Sequence, residues 1–123
     1  MRGMAKALAT RVALVVGLVA LSVQTAVGIS LNGQQIAHQG NGDGAPACMT
    51  CHGEQFQGDA ALKAPALAGL PSAFILSRLA HYAGPDGHNA SMRQVATALS
   101  LGEREAVAAY LSSLPAAGEQ VHQ

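Results

Sequence analysis

Apolar positions fall into two unlike stretches along the 123 residues. From Val12 to Val23 they form a run of twelve, broken only by Gly17 and Ser22, with Arg2, Lys6 and Arg11 before it and Ala26-Val27-Gly28 after it. Beyond residue 28 they recur at helical spacing. After Pro71, Ile75, Leu79 and Tyr82 fall at i, i+4 and i+7, and Gly84-Pro85 closes the stretch, which predicts a helix. Near the end, Val107, Tyr110, Leu111 and Leu114 form another stripe. It is opened by Ser100 with Glu103 as an S-x-x-E capping box and stopped at Pro115. A third helix is predicted from Gly33 to Gln39, with Asn32 as N-cap, Gln35 at the capping-box position, Leu31 and Ile36 as a hydrophobic staple and Gly40 as the stop. A shorter one is expected from about Arg93 to Leu99. Gly40-Asn41-Gly42-Asp43-Gly44 is a turn cluster, and the segment from Gly53 to Pro71 reads as irregular. No segment alternates apolar and polar residues as a strand would, so the expectation is all-α, with about four short helices.

The first stretch has the layout of an export signal: a basic start, a short apolar run and small residues before a cleavage point after Gly28. Twelve helical residues cover roughly 18 Å, short of the ~30 Å hydrocarbon core, so an uncleaved membrane anchor is the weaker reading. The expected division is a signal peptide over 1–28 and one domain over 29–123. The mature protein would have no membrane span and would lie in the periplasm or its equivalent.

Charge and core composition change with that division. The whole chain is neutral, but residues 29–123 carry four basic and seven acidic side chains, a net −3, which argues against a nucleic-acid partner. Of their 43 apolar residues 19 are Ala, and the only aromatics are Phe56, Phe74, Tyr82 and Tyr110. Small side chains bury little area each, so a domain of this size needs a staple such as a metal, a disulfide or a bound group.

Cys48-Met49-Thr50-Cys51-His52 is C-x-x-C-H, the attachment sequence of c-type haem. Two thiols on one side of a tight helical turn can add to the two vinyl groups of one macrocycle, and the adjacent His52 can then ligate the iron from the proximal face. Three other readings compete. A thioredoxin-type pair would need a preceding strand, which the pattern lacks. A disulfide across so short a loop would stabilise the chain least. A structural zinc site needs four ligands, and His38, His81, His88 and His122 form no matching set. If haem binds, Met92 is the one free thioether for the second axial position, placed in a loop between two predicted helices. His81 and His88 are its rivals, and core filler is the ordinary role of a methionine.

The stretch from about Leu31 to Pro115 resembles the class I cytochromes c, in particular the small bacterial cytochromes whose haem domains also occur in tandem. The resemblance rests on residues 44–53 around the C-x-x-C-H element, Pro65-Ala66-Leu67-Ala68-Gly69-Leu70-Pro71, Met92 with Val95-Ala96 and Leu99-Ser100, and Ala108-Ala109-Tyr110-Leu111. One such domain is present, so a single haem is expected. The resemblance implies a cytochrome c fold wrapped around one covalent haem c, with thioether links at Cys48 and Cys51, His52 and Met92 as iron ligands, and the Pro65 carbonyl accepting a hydrogen bond from His52. It also implies that Gly33 and Ile36 on the first helix meet Val107 and Tyr110 on the last. Arg78 and Arg93 are possible partners of a haem propionate, although ordinary solvated arginines fit as well. The family often places Pro beside its Met ligand, whereas Met92 stands between Ser91 and Arg93. The expected function is one-electron transfer, not catalysis, between redox partners with a basic docking patch. A subunit of a periplasmic dehydrogenase or oxidase complex is the alternative, and an open-site haem enzyme or sensor a more distant one.

Overall fold

The computed structural model describes residues 32–120, so the proposed signal segment and Leu31 of the expected staple lie outside the described residues. Six helical segments follow one another: α1 (Gly33–Gln39), α2 (Met49–His52), α3 (Ser72–Ala83), α4 (Ala90–Ala98), α5 (Leu101–Ser112) and α6 (Ala117–Gln120). There is no strand among the described residues, only a single bridge between Asp59 and Ala64. Nor is any helix there long and apolar enough to cross a membrane.

Local chemistry explains most of the boundaries. Asn32 caps α1 by accepting from the Gln35 N–H at 3.1 Å, but Gln35 makes no return bond, so the cap is half of the expected box. The box at Ser100 is complete: Ser100 Oγ accepts from Glu103 N at 3.1 Å, and Glu103 Oε1 accepts from Ser100 N at 2.9 Å. At its other end α5 stops at Ser112, before the expected Pro115. The residue preceding a proline is pushed out of the helical region, and the Ser113 hydroxyl takes the Tyr110 carbonyl at 2.6 Å.

The expectation for α4 is corrected. It begins at Ala90, not Arg93, and Met92 therefore lies in its first turn, not in a loop. The cause is Asn89, whose side chain accepts from Met92 N at 3.0 Å. With Met92 rather than Glu or Gln at the third position, this cap has no box to announce it.

The core is small-sided. Ile36, Ala37, Ala45, Phe56, Ala68, Ile75, Leu79, Ala96, Leu99, Val107, Ala108 and Leu111 are buried, and five of these twelve are Ala. α1 crosses α5 at close range: a Cβ on Gly33 would lie 2.1 Å from the Ala106 carbonyl oxygen and 3.1 Å from Tyr110 Cβ. α3 packs against both α4 and α5. Asn41 ties the turn before α2 to the end of α4, donating to Ala98 O at 2.8 Å while its Oδ1 accepts from the N–H groups of Asp43 and Ala45.

Candidate functional site

The C-x-x-C-H segment forms one helical turn, with His52 N bonded to Cys48 O at 3.0 Å and Gly53 N to Met49 O at 3.0 Å. That turn presents Cys48 half-buried and Cys51 exposed, and the two are not bonded to each other. Burial pushes the Cys48 thiol up to about 11, only partly offset by a backbone hydrogen bond. The turn follows a loop, not a strand, which weighs against the thiol-redox reading.

His52 is the one buried polar side chain among the described residues. Its Nδ1 lies 2.8 Å from the Pro65 carbonyl oxygen, which can only accept, so the proton sits on Nδ1 and Nε2 carries the free lone pair. No hydrogen-bond partner meets Nε2 among the described residues. A buried nitrogen with its lone pair uncommitted has the chemistry that metal ligation requires, and a hydrogen bond on the other nitrogen is the usual way a ligating ring is aimed.

The Pro65 carbonyl is itself held by the loop around it. Phe56 is fully buried at φ +56°, a conformation few side chains adopt, and its carbonyl receives the N–H groups of Leu67 (2.8 Å) and Ala68 (3.1 Å). Gly58 donates to His52 O at 2.8 Å, and at φ +90° a Cβ there would sit 2.8 Å from Ala66 N and 3.0 Å from Pro65 C. Gly69 N reaches Leu111 O at 2.9 Å and anchors the loop to α5. None of these supports has a distinctive sequence signature apart from the glycines.

Met92 is half-buried and packs against the core, whereas His81 and His88 are exposed. Arg78 lies over the Tyr82 ring with its guanidinium carbon 5.0 Å from the centroid, and Arg93 donates to the Gly84 and Gly87 carbonyls. His38, considered in the sequence only as a zinc ligand, has a different place: Nδ1 is 3.3 Å from Met49 Sδ and Nε2 is 3.0 Å from the Tyr110 hydroxyl. It also stacks edge-on against Phe56 and so braces the C-x-x-C-H turn against α5. No group of three or more His, Cys, Asp or Glu side chains that could hold a metal ion occurs among the described residues, and His122 of the zinc reading lies outside them.

Comparison with known proteins places this arrangement. The chain is 40% identical over 86 residues to the thiosulfate dehydrogenase electron acceptor of Stutzerimonas stutzeri (strain A1501), covering 69% of this chain and 40% of that protein. It is 37% identical over 83 residues to cytochrome c-552 of Acidithiobacillus ferridurans, covering 67% and 35%. The chain thus spans less than half the length of these curated relatives. Among solved structures, cytochrome c4 of Acidithiobacillus ferrooxidans superposes with a TM-score of 0.62 at 37% identity, covering 67% of this chain and 48% of that one. Thiosulfate dehydrogenase of Marichromatium purpuratum gives 0.66 at 32%, covering 68% and 18%. The cytochrome c family itself matches residues 30–115, which take in α1 through α5 whole. This chain therefore belongs to the cytochrome c family, whose members bind haem c covalently and transfer electrons.

Proposed function

We propose that this chain is an exported, single-haem cytochrome c that carries one electron at a time between periplasmic redox partners, with haem linked at Cys48 and Cys51 and iron held between His52 and Met92. The observation that carries the reading is His52: a buried imidazole whose proton is committed to the Pro65 carbonyl and whose Nε2 is left free, immediately after the two thiols. When bound, haem c supplies a reversible ferric–ferrous couple. The chain's own residues then do three things. His52 and Met92 would hold the iron and leave no coordination site for a substrate. The Pro65 carbonyl keeps the His52 proton in place and raises the basicity of the ring. Half-buried Cys48, Leu67, Leu70, Leu76, Met92 and Val95 pack against the Ala-rich core and leave partly exposed apolar surface of the kind a macrocycle would cover. Exposed His81 and His88 lack the packing that Met92 has, which favours the thioether as the second ligand.

The test is an absorption spectrum of protein exported by a host with cytochrome c maturation machinery. Haem that stays with the chain after denaturation and acid extraction, together with a weak sulfur-to-iron band in the native ferric form that Met92→Ala abolishes, is the expected result. Covalent haem without that band would move the sixth ligand to His81 or His88, and no covalent haem would return the cysteines to thiol chemistry. A mass for the exported protein that starts at Ile29 is expected from cleavage after Gly28.

A second reading is favoured by the relatives, two of which are thiosulfate dehydrogenase electron acceptors. On that reading the chain is the electron-accepting partner of a periplasmic dehydrogenase, and stable co-purification with a larger enzyme distinguishes it from a mobile carrier. Either way the net −3 of residues 29–123 favours a partner with a basic docking patch. The rate of electron exchange should fall as ionic strength rises, and a flat salt response would refute the charge argument.

A further inference from the structure

A thioether is a weak, neutral ligand, so whatever holds its main chain decides how easily it is displaced. The chain has no proline beside Met92, which stands between Ser91 and Arg93. We infer that Arg93 is the positioning residue for Met92, locking the first turn of α4 to the end of α3; the inference rests on Met92 being the iron ligand. Arg93 Nη1 donates to two carbonyls at once, Gly84 O at 2.9 Å and Gly87 O at 3.0 Å. Gly84 closes α3, its N–H bonded back to Ala80 and His81, so its carbonyl lies at the negative end of that helix and attracts a cation. Gly87 is folded flat onto the same turn. It donates to Gly84 O at 3.2 Å, and a Cβ on it would meet Tyr82 O at 2.5 Å and His81 O at 2.8 Å.

The joint between the two helices is thus seated on α3 from one side and gripped by Arg93 from the other. On the α4 side, Arg93 N donates to Asn89 O at 2.8 Å, and the Asn89 side chain accepts from Met92 N at 3.0 Å. Met92 is therefore bracketed: its N–H is fixed by the cap before it, and the next residue's side chain is tied to the neighbouring helix. The two side chains leave the turn in different surroundings, Arg93 exposed and Met92 half-buried against the core. Moving Met92 sulfur away from iron by swinging the first turn of α4 would break both charge-assisted bonds, and this resistance does what a flanking proline's stiffness would do.

The experiment is imidazole titration of the ferric holoprotein, followed by loss of the sulfur-to-iron band, with thermal unfolding measured alongside. Arg93→Met is expected to lower the half-saturating imidazole concentration at least tenfold, equivalent to about 1.4 kcal/mol, and Arg93→Lys to recover part of the difference. The control is Arg104→Met. Arg104 donates through Nε (3.1 Å) and Nη2 (2.7 Å) to Ala96 O at the opposite end of α4, so its loss destabilises the helix without freeing Met92. Arg104→Met should leave the imidazole response within about twofold of wild type, a shift worth ~0.4 kcal/mol. An unchanged response in Arg93→Met, or an equal shift in both variants, overturns the inference. If Arg93→Met does not accumulate with haem, Arg93→Gln, which removes the charge and shortens the reach, is read by the same criterion. Absence of the band from the wild type, or its survival in Met92→Ala, would overturn Met92 ligation and the clamp with it, whereas a band lost in Met92→Ala beside an unmoved Arg93→Met sinks the clamp alone.

Discussion

Gly33→Ala sets two effects of opposite sign against each other. In a helix Ala is favoured over Gly by about 1 kcal/mol, so by propensity alone the substitution stabilises α1. At this position, however, the added Cβ would lie 2.1 Å from the oxygen and 2.5 Å from the carbon of the Ala106 carbonyl. Those are backbone atoms of α5 and cannot rotate aside. Ordinary contact requires the two helices to separate by roughly 1 Å, and a gap of that size forfeits a quarter to a half of the dispersion attraction across the seam. The seam is where Ile36 and Ala37 of α1 and Val107, Ala108 and Leu111 of α5 are buried. Overpacking typically costs 1–3 kcal/mol, and a clash with main chain belongs at the upper end, so the net loss is about 2 kcal/mol. For a domain of this size that lowers Tm by roughly 10 °C. Thermal unfolding of the haem-loaded protein measures it, with Gly118→Ala as control because nothing lies within 4 Å of a Cβ there. A Tm for Gly33→Ala equal to or above wild type would refute the close crossing.

Three further outcomes are expected. Glu103 is held below its ordinary 4.5, chiefly by the Ser100 backbone N–H that donates to it. Its contribution is therefore present above pH 4.5 and lost as pH falls through the lowered value, so the stability difference between wild type and Glu103→Gln should shrink in acid; a constant difference from pH 7 to 3 would count against this. Asn41→Ala should cost about 1–3 kcal/mol in denaturant unfolding, because the Ala98 carbonyl and the N–H groups of Asp43 and Ala45 all lose their partner. Gly58→Ala should push the Pro65 loop off His52, weaken the Nδ1–H···O bond and raise the reduction potential, since a less basic imidazole stabilises ferric iron less; an unchanged potential would show that Pro65 does not tune the ring.

The features legible in the chain are those whose physics is local. The C-x-x-C-H turn needs only five consecutive residues, and the Ser100–Glu103 box only four, so both could be read without knowing anything about the rest of the fold. The start of α4 was hidden although it too is local, because Asn89 caps it with no partner residue three positions on. The Pro65 contact with His52 spans 13 residues of irregular chain and was accessible only through resemblance to a family. His38 shows the limit of sequence reading most sharply. Its partners Met49 and Tyr110 are 11 and 72 residues away, and nothing around position 38 distinguishes it from a solvent-exposed histidine.

By itself, then, the sequence determined the cofactor chemistry, the all-helical character and the ends of the best-capped helices, since thiol spacing, capping and apolar periodicity act within one or two turns of chain. Tertiary structure decided which His52 nitrogen is free, what holds the Pro65 carbonyl, and how Arg93 ties the turn carrying Met92 to the end of α3. Those depend on carbonyls brought together by loop closure, and every residue carries the same carbonyl, so no pattern of side chains marks which one will be met.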